Sequence, residues 1–245
     1  MLMKTTITVV CVLMLGHAIA AASESQDWSP PATEAQLPKK MRAAMAETPR
    51  ITVGQSSADL LGSDNRALQA AVDYIAAMGG GTVEIGPGEY LMRDSLHLRS
   101  HVIVRGSQGK TILRKAHGVE SPLATDGDFG EEQITVVNPN GFEVGCGVAI
   151  WSKRANGFHV TVARIIGRNG STLALDRPLN ADSTVSDDAK AATVYPVISG
   201  YDLEGVRIED LIIEGNRARN AALDGCRGAA SFFIGASARS LSTAR

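Results

Sequence analysis

The sequence predicts an all-β fold of stacked short strands, entered through one amphipathic helix and interrupted by a separate antiparallel β segment. Three observations carry this expectation. Short runs of β-formers recur at close spacing between Thr82 and Leu113, which suits the sides of successive coils that stack their inward aliphatics. Between about Gly118 and Ile198 the rhythm changes to longer alternating runs separated by Asn-Gly and Pro turns, the strongest short-range hairpin signal. Aromatic residues make up only 4% of the chain while glycine occurs 25 times, a composition that fits extended β structure with tight corners.

The first twenty residues read as a signal peptide. Lys4 supplies the positive start, Ile7 to Leu15 the apolar stretch, and Ala18-Ile19-Ala20 a small-residue cleavage motif. That stretch falls short of the ~20 apolar residues a membrane span requires, so the expected location is secreted or periplasmic, with no membrane span. Cys11 lies inside the apolar stretch, where it is read as a passenger. Removing Lys4 takes the formal charge from −2 to −3, which argues against a broad nucleic-acid surface. Residues 21–50 carry Ser, Pro, Gln, Lys and Glu without sustained periodicity and read as a linker arm, with a short helix near Lys39–Glu47.

Asp64 is a good N-cap, because its carboxylate accepts from an unpaired first-turn N–H. Leu68, Ala71, Val72, Ile75 and Met78 then share one helical face, and Gly79 sits where a positive φ closes the helix. Strands are expected at Thr82–Ile85, Tyr90–Met92, Leu96–Leu98, Val102–Val104 and Thr111–Leu113, with Gly86-Pro87-Gly88 turning the chain. Gly79-Gly80-Gly81 closes a helix and opens a strand. A phosphate loop has the opposite order, so the helix-stop reading is favoured.

The run Asp64-Asn-Arg-Ala-Leu-Gln through Gly79-Gly-Gly-Thr-Val to Pro87-Gly-Glu-Tyr90, continued by Leu96-His-Leu-Arg-Ser-His-Val-Ile-Val-Arg-Gly106, resembles a known segment. It is similar to the N-terminal part of the pectate-lyase-type right-handed parallel β-helix superfamily. The resemblance covers about Gly62 to Leu113 and resumes more weakly from Gly200. It implies that the helix caps the open end of a solenoid and that the glycine triplet begins the first coil. It also implies a polysaccharide or oligosaccharide partner. The expected function is an exported polysaccharide-degrading enzyme, a lyase or glycoside hydrolase of acidic sugars; the alternative is a non-catalytic carbohydrate-binding or adhesive β-helix. Calcium enters by this resemblance alone, and no other cofactor is evident.

The expected organisation is therefore cap and first coils over 51–117, an inserted small antiparallel barrel or sandwich over 118–198, resumed coils over 199–235, and an irregular tail over 236–245. Strands in the insert are expected at Ile134–Val137, Val148–Trp151, Val160–Ile166, Thr172–Leu175 and Thr193–Val197, with hairpin turns at Asn156-Gly157 and Asn169-Gly170. Val206–Ile208, Leu211–Ile213 and Ala229–Ile234 resume the coil rhythm. About three coils are counted, and the tail offers no cap for the last edge. The chain is accordingly expected to be the N-terminal portion of a longer parent, lacking its active site.

No catalytic residue is assigned by sequence. Asp126, Asp128, Glu131 and Glu132 form an acidic loop of oxygen ligands suited to Ca²⁺, without the spacing of a helix–loop–helix calcium site, so a solvated loop is favoured. Glu209, Asp210, Glu214 and Asp224 are the carboxyls from which a glycoside-hydrolysing pair would be drawn, since outward residues on neighbouring coils reach the needed separation. Arg207, Arg217, Arg219 and Arg227 could pair with uronate carboxylates, against a solvated face. His97, His101, His117 and His159 show no metal-ligand spacing and are read as structural or solvent-facing. Trp151 and Phe158 suit either a sugar-stacking platform or barrel core. Asn169-Gly-Ser171 matches a glycosylation acceptor, but turn chemistry explains it. Cys146 and Cys226 are read as small buried thiols in preference to a disulfide.

Overall fold

A computed structural model describes residues 45–223 and 228–234, and the backbone of 240–241. The expected leader, nearly all of the arm and its short helix, and Asp224, Cys226 and Arg227 lie outside the described residues. Residues 45–47 at the end of the expected short helix are not helical. No described helix is long and apolar enough to cross a membrane.

The first strands are β1 (Arg50–Gly54), β2 (Leu60–Leu61), β3 (Gly81–Ile85), β4 (Gly88–Met92), β5 (Leu96–His97), β6 (Val102–Arg105) and β7 (Thr111–Lys115). Then follow β8 (Glu120–Pro122), β9 (Gln133–Thr135), β10 (Gly147–Trp151), β11 (Thr161–Asn169), β12 (Thr172–Leu175) and β13 (Lys190–Ala192). The chain continues with β14 (Ile198–Tyr201), β15 (Arg207–Glu209), β16 (Ile212–Glu214), β17 (Ser231–Ile234) and β18 (Ser240–Leu241).

Helix α1 (Asn65–Ala77) starts where expected: the Asp64 carboxylate accepts from the Arg66 N–H at 3.0 Å. It ends on Gly79 at φ 93, whose N–H donates to Ala76 O, while the Gly80 N–H donates to Ile75 O. These two bonds satisfy carbonyls that the last turn leaves orphaned. Leu68, Ala71, Val72 and Ile75 are fully buried. Met78, expected on that face, is 50% exposed because it is the C-cap, past the last helical residue.

Three sheets are parallel throughout their described pairings. The first has the order β18-β15-β6-β3-β1-β2, the second β16-β7-β4, the third β17-β14-β5. The chain visits the three sheets in turn: β3, β4, β5; then β6, β7, β14; then β15, β16, β17; then β18. Each register aligns like with like. Ile51, Val83, Val104 and Ile208 form one buried ladder in the first sheet, each rung contributing about 1.5–3 kcal/mol of apolar burial. Outward in the same sheet, Glu84 stands opposite Arg105 and Arg105 opposite Glu209.

Between β7 and β14 the chain leaves the stack and builds an antiparallel sheet of order β8-β13-β10-β11-β12-β9. A bridge between Leu123 and Val136 joins its two edges, with the Ala124 N–H donating to Thr135 O and the Val137 N–H to Pro122 O. The sheet therefore closes on itself around its own core of Phe142, Val148, Ile150, Ile165 and Leu173, which removes free strand edges. Asn169 pairs with Thr172, leaving Gly170-Ser171 as a two-residue hairpin loop, one residue on from the expected Asn169-Gly170. Asn156-Gly157 does not make such a hairpin. The Asn156 side chain instead accepts from the Gly157 N–H at 2.6 Å and caps a short 3-10 turn, Gly157–His159.

A strand was expected at Thr193–Val197, and none forms there. Pro196 has no N–H to give a ladder, and the Val194 N–H folds back to Ala192 O at 2.7 Å. This stretch is instead a buried link back to the stack. Tyr195 is its anchor, its hydroxyl donating to Met92 O at 2.6 Å. Where the chain departs, Asn216 and Asn220 of the following pass donate side-chain N–H groups to the carbonyls of Lys115 and Ala116.

Candidate functional site

Alternation along the third parallel sheet puts Leu96 and Ile198 in the core and turns His97 and Ser199 outward, toward the antiparallel insert. A cavity of about 390 Å³ lies between that face and the insert. The stack contributes His97, Arg99, Ser199 and Tyr201 to its lining, and the insert contributes Arg164, Asp176 and Arg177.

His97 is held from several sides. Its backbone is clamped by Gln69 of α1, which accepts the His97 N–H at 2.8 Å and donates to the His97 carbonyl at 3.0 Å. Its Nε2 is 3.0 Å from Asp94 Oδ2, and its Nδ1 is 3.0 Å from Ser199 Oγ. The Asp94 carboxylate also accepts from Arg164 Nε at 2.6 Å. Burial pushes the Asp94 carboxyl up, but the hydrogen bonds from His97 and Arg164 and the charge of the Arg164 guanidinium outweigh it and hold the group below the usual carboxylate range. An ionised Asp94 only accepts hydrogen bonds. Nε2 therefore carries the donated proton, and in the neutral ring this leaves Nδ1 to accept from the Ser199 hydroxyl. The result is a directed chain from Asp94 through His97 to Ser199, of which His97 and Ser199, the latter 3% exposed, line the cavity while Asp94 lies behind them.

Each arginine in the lining rests on a carboxylate: Arg99 on Asp73 at 2.9 Å, Arg164 on Asp94 at 2.6 Å, Arg177 on Asp176 at 3.3 Å. A guanidinium with five donors retains others for a bound molecule after such a contact. Tyr201, 40% exposed, adds an aromatic surface and meets Phe232 edge-on at 6.0 Å.

The carboxylates singled out in the sequence lie elsewhere. Glu209 pairs with Arg105 at 2.8 Å and Arg207 at 3.2 Å, and Glu214 with Arg114 at 3.0 Å. Arg105 also meets Glu84, which in turn pairs with Arg50, and Arg114 meets Glu89 at 2.7 Å. These are charge ladders running across successive strands. Asp210 turns the corner at φ 56. Arg217 and Arg219 are exposed in a 3-10 turn, and His117 and His159 are exposed. His101 takes a left-handed φ of 64 with its N–H on Glu204 O.

In the acidic loop, Asp126 accepts the Val185 N–H at 2.6 Å and Glu131 the Asp128 N–H at 3.1 Å. Among the described residues no group of three or more His, Cys, Asp or Glu converges where it could hold a metal. Trp151 packs on Ala149, Val160, Ala192 and Val194, whereas Phe158 is 82% exposed and belongs to no core. Cys146 is buried, which raises its thiol pKa.

Of the candidate site residues named from sequence that are among the described residues, only His97 lines the cavity. Asp94, Arg99, Arg164, Asp176, Arg177, Ser199 and Tyr201 were missed. One signal was present: Asp94 and His97 are three residues apart at a corner, close enough to interact locally.

No protein-family model matches the chain, and no curated protein matches it. Among solved structures it is similar to the tailspike gp61 of Pseudomonas phage phi297, at 15% identity and a TM-score of 0.30 over 60% of this chain. It is also similar to the gp54 tailspike of Acinetobacter baumannii bacteriophage AP22 in complex with A. baumannii capsular saccharide, at 10% identity and a TM-score of 0.29 over 59% of this chain. A third is the tailspike protein gp49 from Pseudomonas phage LKA1, at 18% identity and a TM-score of 0.26 over 60% of this chain. The match spans 30%, 29% and 31% of those three chains.

Proposed function

We propose that the three parallel sheets are the faces of a right-handed parallel β-helix, and that the cavity between its third face and the insert binds a saccharide in an exported, polysaccharide-acting protein. One observation carries this reading. The cavity wall combines fixed guanidinium donors (Arg99, Arg164, Arg177), carboxylate acceptors (Asp176, Asp202) and the exposed ring of Tyr201. Sugars are bound by such sets, because hydroxyls need both donors and acceptors while ring C–H faces stack on aromatics. Arginine further suits uronate carboxylates by bidentate pairing.

Degradation of the bound polysaccharide is part of the proposal, with simple docking as its competitor. Glu209 and Glu214 are neutralised by Arg105 and Arg114, which disfavours them as a glycosidase pair and leaves the cavity as the place to look.

Calorimetric titration with uronate and neutral oligosaccharides tests the reading, run beside assays for unsaturated product and for new reducing ends. Arg177→Ala and Tyr201→Ala are each expected to weaken binding about tenfold or more. Absence of binding to every saccharide, or unaltered affinity in both variants, would refute it. Binding without either product would favour docking.

A further inference from the structure

We propose that this cavity also houses an acyl-transfer centre, with Ser199 as nucleophile and His97 as its general base, acting on small carboxylic esters. This goes beyond saccharide recognition and can be tested without it.

The argument is geometric. A serine hydroxyl is a weak nucleophile unless a base takes its proton as it attacks, and that base works best when a third group fixes its tautomer and orientation. Ser199 Oγ lies 3.0 Å from His97 Nδ1, and His97 Nε2 lies 3.0 Å from Asp94 Oδ2. The carboxylate is walled off, its side chain only 4% exposed, and it is further fixed by Arg164 at 2.6 Å. The ring nitrogens are used in the reverse sense to the usual serine-hydrolase arrangement, with the carboxylate on Nε2 and the hydroxyl on Nδ1. The roles are unchanged, since such triads are recognised by geometry and role. The backbone is equally constrained, because Ser199 and His97 are register partners in β14 and β5 and Gln69 grips the His97 peptide on both sides.

In the first step Ser199 Oγ adds to the ester carbonyl carbon while its proton passes to His97 Nδ1. Asp94 accepts the Nε2–H throughout and stabilises the imidazolium. The carbonyl oxygen becomes an oxyanion, a charge to which the arginines lining the cavity are complementary. Collapse breaks the ester C–O bond, and the departing oxygen takes the proton from Nδ1 and leaves as an alcohol. Water then repeats the sequence on the acyl-Ser199, releasing a carboxylic acid and restoring the serine. No oxidant, reductant or second substrate other than water is required. A cavity of about 390 Å³ is near the small end of ligand sites, so short acyl groups on compact alcohols are the class it would take.

The experiment uses the whole chain with p-nitrophenyl acetate as substrate and a fluorophosphonate as covalent probe, the adduct being located by peptide mass spectrometry. The expected result is one probe per chain on Ser199, with turnover falling by about 10³-fold or more in Ser199→Ala and in His97→Gln. Ser199→Cys preserves size, and circular dichroism is checked for each variant. Alkylation of that cysteine by iodoacetamide is expected to slow at least about tenfold when His97→Gln is added. Fluorophosphonate labelling of Ser199 should be lost in folded His97→Gln, a dependence that a purely structural serine would not show. An unlabelled Ser199 in the folded chain, or ester turnover equal in the native protein and Ser199→Ala, overturns the inference. Retained saccharide titration alongside that result would leave the binding proposal standing, and esterase activity without saccharide binding would do the opposite.

Discussion

Ser199 stands beside His97 in the third parallel sheet, its hydroxyl 3.0 Å from Nδ1, although 102 residues separate the two in the chain. The whole antiparallel insert is made between them. Its excursion preserves the register: Leu96 still pairs with Ile198, and the Ser95 hydroxyl still donates to Pro196 O. The insert then lays Arg164 back onto Asp94, the residue that orients His97. One corner of the stack thus supplies both the exit for the inserted barrel and the residues that barrel covers.

Asp94→Asn is expected to destabilise the fold by about 1–3 kcal/mol at neutral pH, because it removes the buried carboxylate that accepts from His97 and from Arg164, whose side chain is 34% exposed and keeps part of its hydration. The same carboxylate sets an acid limit. The folded-state pKa of Asp94 lies below its unfolded value, so its stabilisation is complete above about pH 4 and is lost as the pH falls through the folded value. Urea midpoints measured between pH 7 and pH 3 should fall for the native chain and change less for Asp94→Asn. Equal slopes would contradict the assignment.

Glu209→Gln and Glu214→Gln are expected to cost no more than about 1 kcal/mol each, since both carboxylates belong to partly exposed ladders. Saccharide binding and any polysaccharide turnover should be unchanged in both. Thermal unfolding at low and high salt checks the first statement, because the ladder contribution should shrink with ionic strength. A large loss of turnover in either variant would return these residues to the catalytic list.

How much of this was legible depended on range. Asp64, Gly79 and Gly170 act through hydrogen bonds and dihedrals within a few residues, so their spacing alone announced a cap, a helix stop and a hairpin loop. The parallel pairing of β3 with β6 follows from adjacent short strands. Asn156-Gly157 misled because the same side chain that favours a hairpin turn also caps a 3-10 turn. Thr193–Val197 misled because an alternating pattern marks burial, and here burial came from a crossing link anchored by Tyr195. The Asp94–His97–Ser199 chain was beyond reach for a different reason: its last member is set by a strand register across the insert, which no local signal encodes.

Gly147 offers a test of how tightly the barrel rests on that chain. A Cβ built there would fall 2.6 Å from the Tyr195 ring and 2.7 Å from Asp94 Oδ1. Its N–H meanwhile donates to Arg93 O at 2.9 Å, so the backbone has little freedom to retreat. Gly147→Ala should destabilise by about 1–3 kcal/mol through overpacking, and it should perturb the His97 ring resonances more than Gly109→Ala, where nothing lies within 4 Å. Unperturbed His97 signals would mean that insert and stack are not tightly seated at this point.

Lys115 is a cost built into the same corner, and its sign can be read from pH. The ammonium is buried at 2% exposure. It donates to Tyr195 O at 3.0 Å and lies 4.8 Å over the Tyr195 ring. Desolvation lowers its pKa from 10.5 to about 8. Between those two values the unfolded chain binds more protons than the folded one, so stability rises with pH across that window. Tyr195 opposes this above about pH 10, because burial raises its phenol pKa and the folded state then holds the extra proton. Stability is therefore expected to climb from pH 8 toward pH 10 and then turn down. Lys115→Met should remove the climb and stabilise at pH 7 by up to about 3 kcal/mol, less whatever the bond to Tyr195 contributes. Denaturant midpoints at pH 7, 9 and 10 for both proteins decide it. A native curve that is flat or falling over that range, or a variant less stable than the native chain at pH 7, would show that the ammonium is better compensated than burial alone implies.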